Sequence, residues 1–295
     1  MTGTVVFSLD CEGKWGVADH LTREHHASLD DANLRATYGR VCDVFAGFEV
    51  PATFASVALF AMSDEEFAAL PLADIAQDLP YARPALADLQ GGTGQGWRAP
   101  WYRDMVGDLH ELASHGGTHT PFDDLSPSQA DFELSLIPDL AGQTFIFPRN
   151  RVGHLVRLAE AGVIAYREAP QRGSRLASLA AEFNVRERAQ EPRRSTGAPG
   201  EPAAIPAGYF INWLSHLRKL VPPAVTRLRA RSIIEDAART GGVAHFWTHP
   251  ENIATAPATL ENLVAIIEEA VRLRDRGEIV VRTQKDFVKA EALAA

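Results

Sequence analysis

Short apolar runs alternate with amphipathic stretches along most of this chain. Val5 to Leu9 is the first run and reads as a buried strand. Ser28 to Asp31 then forms a weak capping box, and Leu34, Tyr38, Val41 and Phe45 follow at helical spacing until Gly47 closes the stretch. Ala52–Ser56 predicts the second strand. Further strands are expected over Thr144–Phe147, Val163–Tyr166, Val243–Trp247 and Glu278–Val281. Helical patterns lie between them over Pro127–Leu140, Arg151–Ala161, Ala224–Thr240 and Pro257–Arg276. Strands separated by helices in this way build a parallel α/β sheet, closed or partly closed into a barrel.

Two segments interrupt the alternation. Gly91–Gly96 is glycine-rich but lacks the Lys-Ser/Thr ending of a phosphate-binding loop, so it reads as a plain loop. Glu187–Gly208, rich in Pro, Arg, Gly and Glu, reads as a long excursion. Neither divides the chain, and no internal repeat is visible. The expectation is a single domain over residues 1–295, with 187–208 as a long loop.

Composition narrows the function classes. A chain of 295 residues suits one α/β barrel. The net charge of −9 gives no electrostatic basis for binding nucleic acid. Two cysteines, Cys11 and Cys42, cannot make a disulfide framework. No window approaches the roughly 20 apolar residues of a membrane span. The first residues show no basic segment leading into a long apolar core, so the expected location is cytoplasmic.

Chemistry-bearing residues gather at strand ends, where α/β barrels place their active sites. Asp10 and Glu12 follow directly on the first apolar run and point to one side if the strand continues. Two such carboxylates repel unless a cation neutralises them or one holds a proton, although an acidic turn leaving a strand explains them equally well. The run from His110 to His119 holds three histidines. It is not a zincin helix, because Ser114 stands where H-E-x-x-H needs its second histidine and Gly116-Gly117 weakens any helix through His115 and His119. With Leu112–Ser114 ending a strand, His115 and His119 fold back around the glycine pair. Together with one carboxylate they make a His₂-acid set, the pattern of catalytic zinc sites. The competing reading is a solvated histidine-rich loop, and His110 is the spare. His245 to Asn252 forms the third cluster. His245 reads as a satisfied strand histidine, whereas His249, fixed by Pro250, is placed to serve as a general acid. Phe145–Asn150 is again a strand followed by charge, and Arg149 is either a partner for an active-site carboxylate or a surface residue opening a helix.

Taken together, these blocks resemble the polysaccharide deacetylases, the NodB-homology or family-4 carbohydrate esterase group. His110-Glu111-Leu112-Ala113-Ser114-His115-Gly116-Gly117-Thr118-His119 is similar over its whole length to that family's H-E-[IL]-[GA]-[NS]-H-x-x-[ST]-H motif. Ser8–Glu12 occupies the place of the first motif, and Pro51–Phe54 that of the strand after the first helix. Asp10–Gly16, Phe147–Asn150 and Phe246–Asn252 look like a subgroup found in surface-polysaccharide biosynthesis clusters. The resemblance implies a distorted (β/α)₇ barrel that hydrolyses an N-acetyl or related N-acyl group on an amino sugar, either a small molecule or a lipid-linked sugar.

Carried onto matching positions, the resemblance implies Asp10 as general base and His249 as general acid, with Arg149 pairing to Asp10. Glu12, His115 and His119 would hold a divalent metal ion, with zinc expected and cobalt, manganese or nickel as alternatives. The commoner motif has an aspartate at the position of Cys11, so Glu12 is the substitute ligand, and Asp10 and Glu12 could exchange roles. Trp15, Trp97, Trp101 and Trp247 offer flat walls for a sugar ring, and at least two of them are expected to be ordinary packing. Trp15 and Trp247, with Asn150 and Asn252, are the expected substrate contacts. His20, His25 and His26 are assigned to a loop over the site. Two other functions fit the same barrel: a metal-independent hydrolase of cyclic amides or ureides, and an inactive sugar-binding relative.

Overall fold

The structure, a computed structural model, describes residues 2–92, 94–170, 175–191 and 200–294. Strands β1 (Gly3–Cys11), β2 (Thr53–Ser56), β3 (Glu111–Ser114), β4 (Thr144–Ile146), β5 (Ala165–Arg167), β6 (Ala203–Ile205), β7 (Tyr209–Phe210), β8 (Val243–Thr248) and β9 (Ile279–Arg282) all join one sheet. Every pairing between these strands is parallel, in the order β6-β5-β4-β3-β2-β1-β8-β7, and β9 pairs with the first residues of β1.

The sheet curls round because one run of chain bridges its two margins. Residues 203–205 pair with β5, and 209–210 pair with β8. The kink between the two sits at Gly208, whose φ is +75° and where a Cβ would lie 2.6 Å from the His245 carbonyl oxygen. An L side chain is disfavoured there on both counts. Counting the kinked run once gives seven strands around the interior and β9 outside the ring, which is a distorted (β/α)₇ barrel. Part of the 187–208 segment is therefore the closing strand and not a loop. Its apolar signal is too short to register against the surrounding Pro, Gly and Arg. Residues 192–199 of that segment, and Thr93 of the glycine-rich loop, lie outside the described residues.

Alternation along β1 separates two environments. Val5, Phe7, Leu9 and Cys11 belong to the main core under the helices. Val6, Ser8 and Asp10 face the barrel interior. That interior is graded along the strands. Val6, Ala165, Ile205, Val243 and Phe287 make an apolar floor. Ser8 and His245 form a polar layer above it, and Asp10 with Arg167 lies above that.

The helix Asp31–Gly47 buries Leu34, Tyr38, Val41 and Phe45, the residues whose spacing predicted it. Elsewhere the boundaries shift. The helix expected to reach Leu140 ends at Ser135. The one expected from Arg151 begins at Leu155, after His154 adopts a left-handed φ of 55°. His110 packs against Phe45 and Phe54 of the main core, and Glu111 serves the lower part of the barrel. Glu111 accepts hydrogen bonds from Thr53, Thr144 and the Lys285 backbone, tying down the C-terminal helix Gln284–Ala294.

Candidate active site

Strand ends and the loops that follow them carry every group at the mouth of the barrel. Asp10 is the penultimate residue of β1, and Glu12 lies just beyond it. The Glu12 side chain turns back toward residue 16, where a Cβ would sit 1.6 Å from its Oε2, so that position accepts only glycine. Glu251, buried behind the turn, accepts the Gly13 N–H at 2.6 Å, the Glu12 N–H at 3.2 Å and the Tyr38 hydroxyl at 2.7 Å.

His115 and His119 lie beyond β3. Glu133, on the helix Pro127–Ser135, accepts the Gly117 and Thr118 N–H groups and the Thr118 hydroxyl, all at 2.8–2.9 Å. These three bonds hold the turn that leaves His119 at φ 62°, a conformation rare outside glycine and concentrated at functional sites. The two imidazoles converge on Glu12, with Oε1 at 3.0 Å from His115 Nε2 and 3.2 Å from His119 Nε2.

The protonation state of this trio can be read from its surroundings. His115 Nδ1 lies 2.8 Å from the Ile146 carbonyl oxygen, which can only accept. Nδ1 therefore carries a proton, and in the neutral ring Nε2 turns a lone pair toward Glu12. Burial lowers the pKa of His119 against the pull of Glu12. Burial opposes the charge of Glu12, but His119 and His249 override it and hold the carboxyl well below its usual range. The His115 lone pair and the Glu12 carboxylate facing one another need a cation between them or a proton on the imidazole. The ligand atoms of Glu12, His115 and His119 all lie within 4.8 Å of one another, so the residues fit a metal ion. Asp10, Glu12 and His249 form a second group of that size, but both Asp10 oxygens are already taken.

They are taken by Arg167, the last residue of β5. Its Nη1 and Nη2 meet Asp10 Oδ1 and Oδ2 at 2.8 and 2.7 Å, in the bidentate geometry that suits guanidinium to carboxylate. Burial disfavours the Asp10 charge, and Arg167, with His115 and His249, outweighs it and keeps the carboxyl below its ordinary pKa. Arg167 also donates to Ser8 Oγ at 3.2 Å and Asn150 Oδ1 at 3.0 Å, and its guanidinium stacks 4.4 Å from the Trp247 ring centroid. Ser8 in turn reaches His245 Nε2 at 2.8 Å, and His245 Nδ1 donates to the Pro206 carbonyl on the closing strand. His245 is thus the satisfied strand histidine expected. Burial and the Arg167 charge lower its pKa to about 3.

Arg149 does not reach Asp10. Arg149 and Asn150 both adopt left-handed backbone, at φ 58° and 52°. Arg149 bonds to Asp19 at 2.6 Å and to the Gly16 carbonyl at 3.1 Å. The expected charge pairing exists, but Arg167 makes it. The expected strand Val163–Tyr166 stops one residue short of Arg167, and the rule that singled out Arg149, charge at a strand end, would have found it. Glu133 and Glu251 left no such signal, since each lies in a helix far along the chain from the turn it supports.

His249 lies across the mouth from the ligand turn. Its Nε2 is 3.4 Å from Glu12 Oε1 and 3.8 Å from Asp10 Oδ2, and Asn252 Nδ2 is 3.2 Å from its Nδ1. Burial opposes its charge, but Glu12 and Asp10 prevail and raise its pKa to about 9. Trp15 is not at the surface of the site. It is 1 % exposed, packs edge-on against Trp97 and donates Nε1–H to the Trp97 carbonyl, so both tryptophans are core. Trp247 lines a cavity of about 860 Å³ that opens beside His249. Asn150, Arg218 and Glu182 also line it, and so does Phe210, whose ring centroid lies 4.8 Å from that of Trp247. His20, His25 and His26 sit on a 3₁₀ turn and a short helix outside the Glu12–His115–His119 set.

No family model and no curated protein matches the chain in sequence. Solved structures do match it in shape. A probable polysaccharide deacetylase from Pseudomonas aeruginosa PAO1 aligns over 97 % of this chain and 89 % of its own, with TM-score 0.57 and 14 % identity. A candidate polysaccharide deacetylase from Mycobacterium smegmatis aligns over 99 % and 91 %, with TM-score 0.53 and 15 % identity. At these identities the likeness is one of fold, and the chain has the polysaccharide-deacetylase barrel.

Proposed function

We propose that the chain is a metal-dependent hydrolase that removes an N-acetyl or related N-acyl group from an amino sugar. The convergence of Glu12, His115 and His119 between Asp10 and His249 carries this reading. It is the arrangement amide hydrolysis requires: a ligand set, a base and an acid within one barrel mouth. The shared fold and the similarity of the His110–His119 run to the family-4 esterase motif support the same conclusion.

A divalent ion, zinc by the His₂-carboxylate donor set, would polarise the amide carbonyl and the attacking water at this position. The chain's own groups do the rest. Asp10, ionised by Arg167, accepts the proton of the attacking water. Glu12 takes the ligand role, because its Oε1 faces both imidazoles, and Asp10 that of the base, because each of its oxygens keeps a lone pair beyond its Arg167 hydrogen bond. His249, whose pKa Glu12 and Asp10 raise, donates from Nε2 to the departing amine, which is otherwise a poor leaving group. The cavity beyond His249, walled by Trp247 and Phe210, receives the sugar ring that carries the amide. A sugar precursor of surface polysaccharide or glycolipid is the substrate class that the Phe147–Asn150 and Phe246–Asn252 blocks support.

The test pairs elemental analysis with acetate release from a panel of N-acetyl sugars. Wild-type protein should hold one divalent ion per chain and release acetate, and His115→Ala and His119→Ala should lose both while keeping their circular dichroism. Metal content unchanged in both variants would overturn the ligand assignment. Metal-free protein with full hydrolytic activity would overturn metal dependence.

A further inference from the structure

One corner of the molecule combines exposed leucines with positive charge, of which Arg218, Arg229 and Arg231 are ion-paired. From Phe210 to Ile234 the sequence holds five arginines and lysines and no acidic residue, in a chain whose net charge is −9. Within it, the 3₁₀ turn His216–Leu220 leads into the helix Pro223–Thr240. Leu217, Leu220 and Leu228 are 61 %, 67 % and 54 % exposed. Lys219 and Arg227 are exposed among them and have no ion pair among the described residues. On the helix, Ala224, Arg227, Leu228 and Arg231 share the outward face, at the spacing of an interfacial helix.

A second segment lies against this one. Glu182 bonds to Arg218 at 2.5 Å and to Arg229 at 2.7 Å, and Glu187 bonds to Arg229 at 2.6 Å. Those pairs neutralise both acids, and they tie the segment that carries the exposed Phe183, Val185 and Arg186 to the one that carries the leucines. Exposed apolar side chains and cations thus occur together on both linked segments, whereas scattered single leucines would need no explanation. The inward-facing members of the same pairs, Glu182, Arg218 and Arg229, line the cavity that opens beside His249.

We propose that this face docks on an anionic bilayer surface, inserting Leu217, Leu220, Leu228 and Phe183 at the interface while Arg186, Lys219 and Arg227 meet lipid phosphates. Charge complementarity selects this partner. Juxtaposed cations and apolar side chains gain from both anionic headgroups and acyl chains, whereas a neutral bilayer offers only the second gain and an acidic protein surface only the first. No helix among the described residues is long and apolar enough to cross a membrane, so the contact is peripheral. It places the cavity next to the lipid headgroups, within reach of a lipid-borne head group. The docking does not rest on the deacetylase reading, and its assay does not measure hydrolysis.

The experiment is co-sedimentation of the full chain with vesicles of phosphatidylcholine containing phosphatidylglycerol, compared with phosphatidylcholine alone. Binding should appear with the anionic vesicles, weaken as salt is added, and be at least about tenfold weaker on the neutral ones. Lys219→Glu/Arg227→Glu and, separately, Leu217→Ser/Leu220→Ser should each reduce partitioning about tenfold or more, with metal content and hydrolysis of a soluble substrate unchanged. Absence of binding to anionic vesicles, or equal binding by both double variants, overturns the proposal. So does a wild-type dimer in sedimentation velocity that either pair of substitutions dissociates, which would make this face a contact between two copies of the chain.

Discussion

Replacing Arg167 by methionine removes the cation that keeps Asp10 ionised inside the barrel. Arg167 is 1 % exposed and donates to Asp10 twice, to Ser8 and to Asn150. In the variant, Asp10 remains buried without the cation that bonds both its oxygens, and the nearest remaining one, His249, is 3.8 Å away. Removing one partner of a buried ion pair costs about 3–5 kcal/mol, most of it the stranded charge. Urea denaturation at pH 7 should therefore show a loss of that size. Removing the second charge as well tests the cause. Asp10→Asn/Arg167→Met leaves no buried ion and should recover at least about 2 kcal/mol relative to Arg167→Met alone, a non-additivity that independent contacts would not give.

The same perturbation has a kinetic signature. Asp10 in wild type titrates below the ordinary carboxylate range because Arg167 overcomes the opposing effect of burial. Without Arg167, burial dominates, so the acid limb of kcat/KM should move to higher pH in Arg167→Met and much less in Arg167→Lys. Arg149→Met, whose guanidinium pairs with Asp19, should leave that limb in place. The reasoning fails if Arg167→Met is within about 1 kcal/mol of wild type with an unmoved limb, or if Arg149→Met moves the limb instead.

Three further outcomes are expected. Glu133→Gln should fold but bind its divalent ion about 10–100-fold more weakly in chelator competition, since Glu133 sets the turn bearing both histidines; unchanged affinity refutes that role. His249→Gln should lower kcat by about 10²–10⁴-fold and abolish the basic limb of the profile, with metal content intact; a retained basic limb would assign it to another group. His110 accepts the Ala52 N–H, and burial lowers its pKa from 6.5 to about 4. Between those values the unfolded chain binds the extra proton, so this contribution to stability is lost as pH falls from 6.5 toward 4. Buried Glu133, raised from 4.5 to about 7, acts with the opposite sign between pH 7 and 4.5. His110→Gln should therefore lose less stability than wild type between pH 6.5 and 4.5 in urea titrations, and an equal loss would contradict the assignment.

Much of this site was legible before any coordinates. Asp10, Glu12, His115, His119 and His249 stand at strand ends because the apolar runs before them mark where strands stop, and local pattern suffices for that. The interior grading was also written locally: alternate residues of Val5–Asp10 divide between the helix layer and the barrel. Closure of the barrel was not. The closing strand is two short pieces around a kink at Gly208, and its residues qualify as strand only because β5 and β8 offer edges on either side.

Which arginine serves Asp10 was likewise a question of register. Arg149 and Arg167 each follow an apolar run, and nothing nearby in sequence separates them. Left-handed backbone at Arg149 and Asn150 sends Arg149 out to Asp19, while Arg167, still on its strand, points into the barrel at the level of Asp10. Trp15 departs from its expected place for a related reason: an aromatic ring beside an active site looks the same in sequence whether its face is open or covered, and here Trp97 from a distant loop packs on it. The sequence by itself determined which groups could perform the chemistry, because side-chain type and strand ends are local properties. The tertiary structure decided their partners and roles, because pairing between residues more than a hundred positions apart depends on strand order and register.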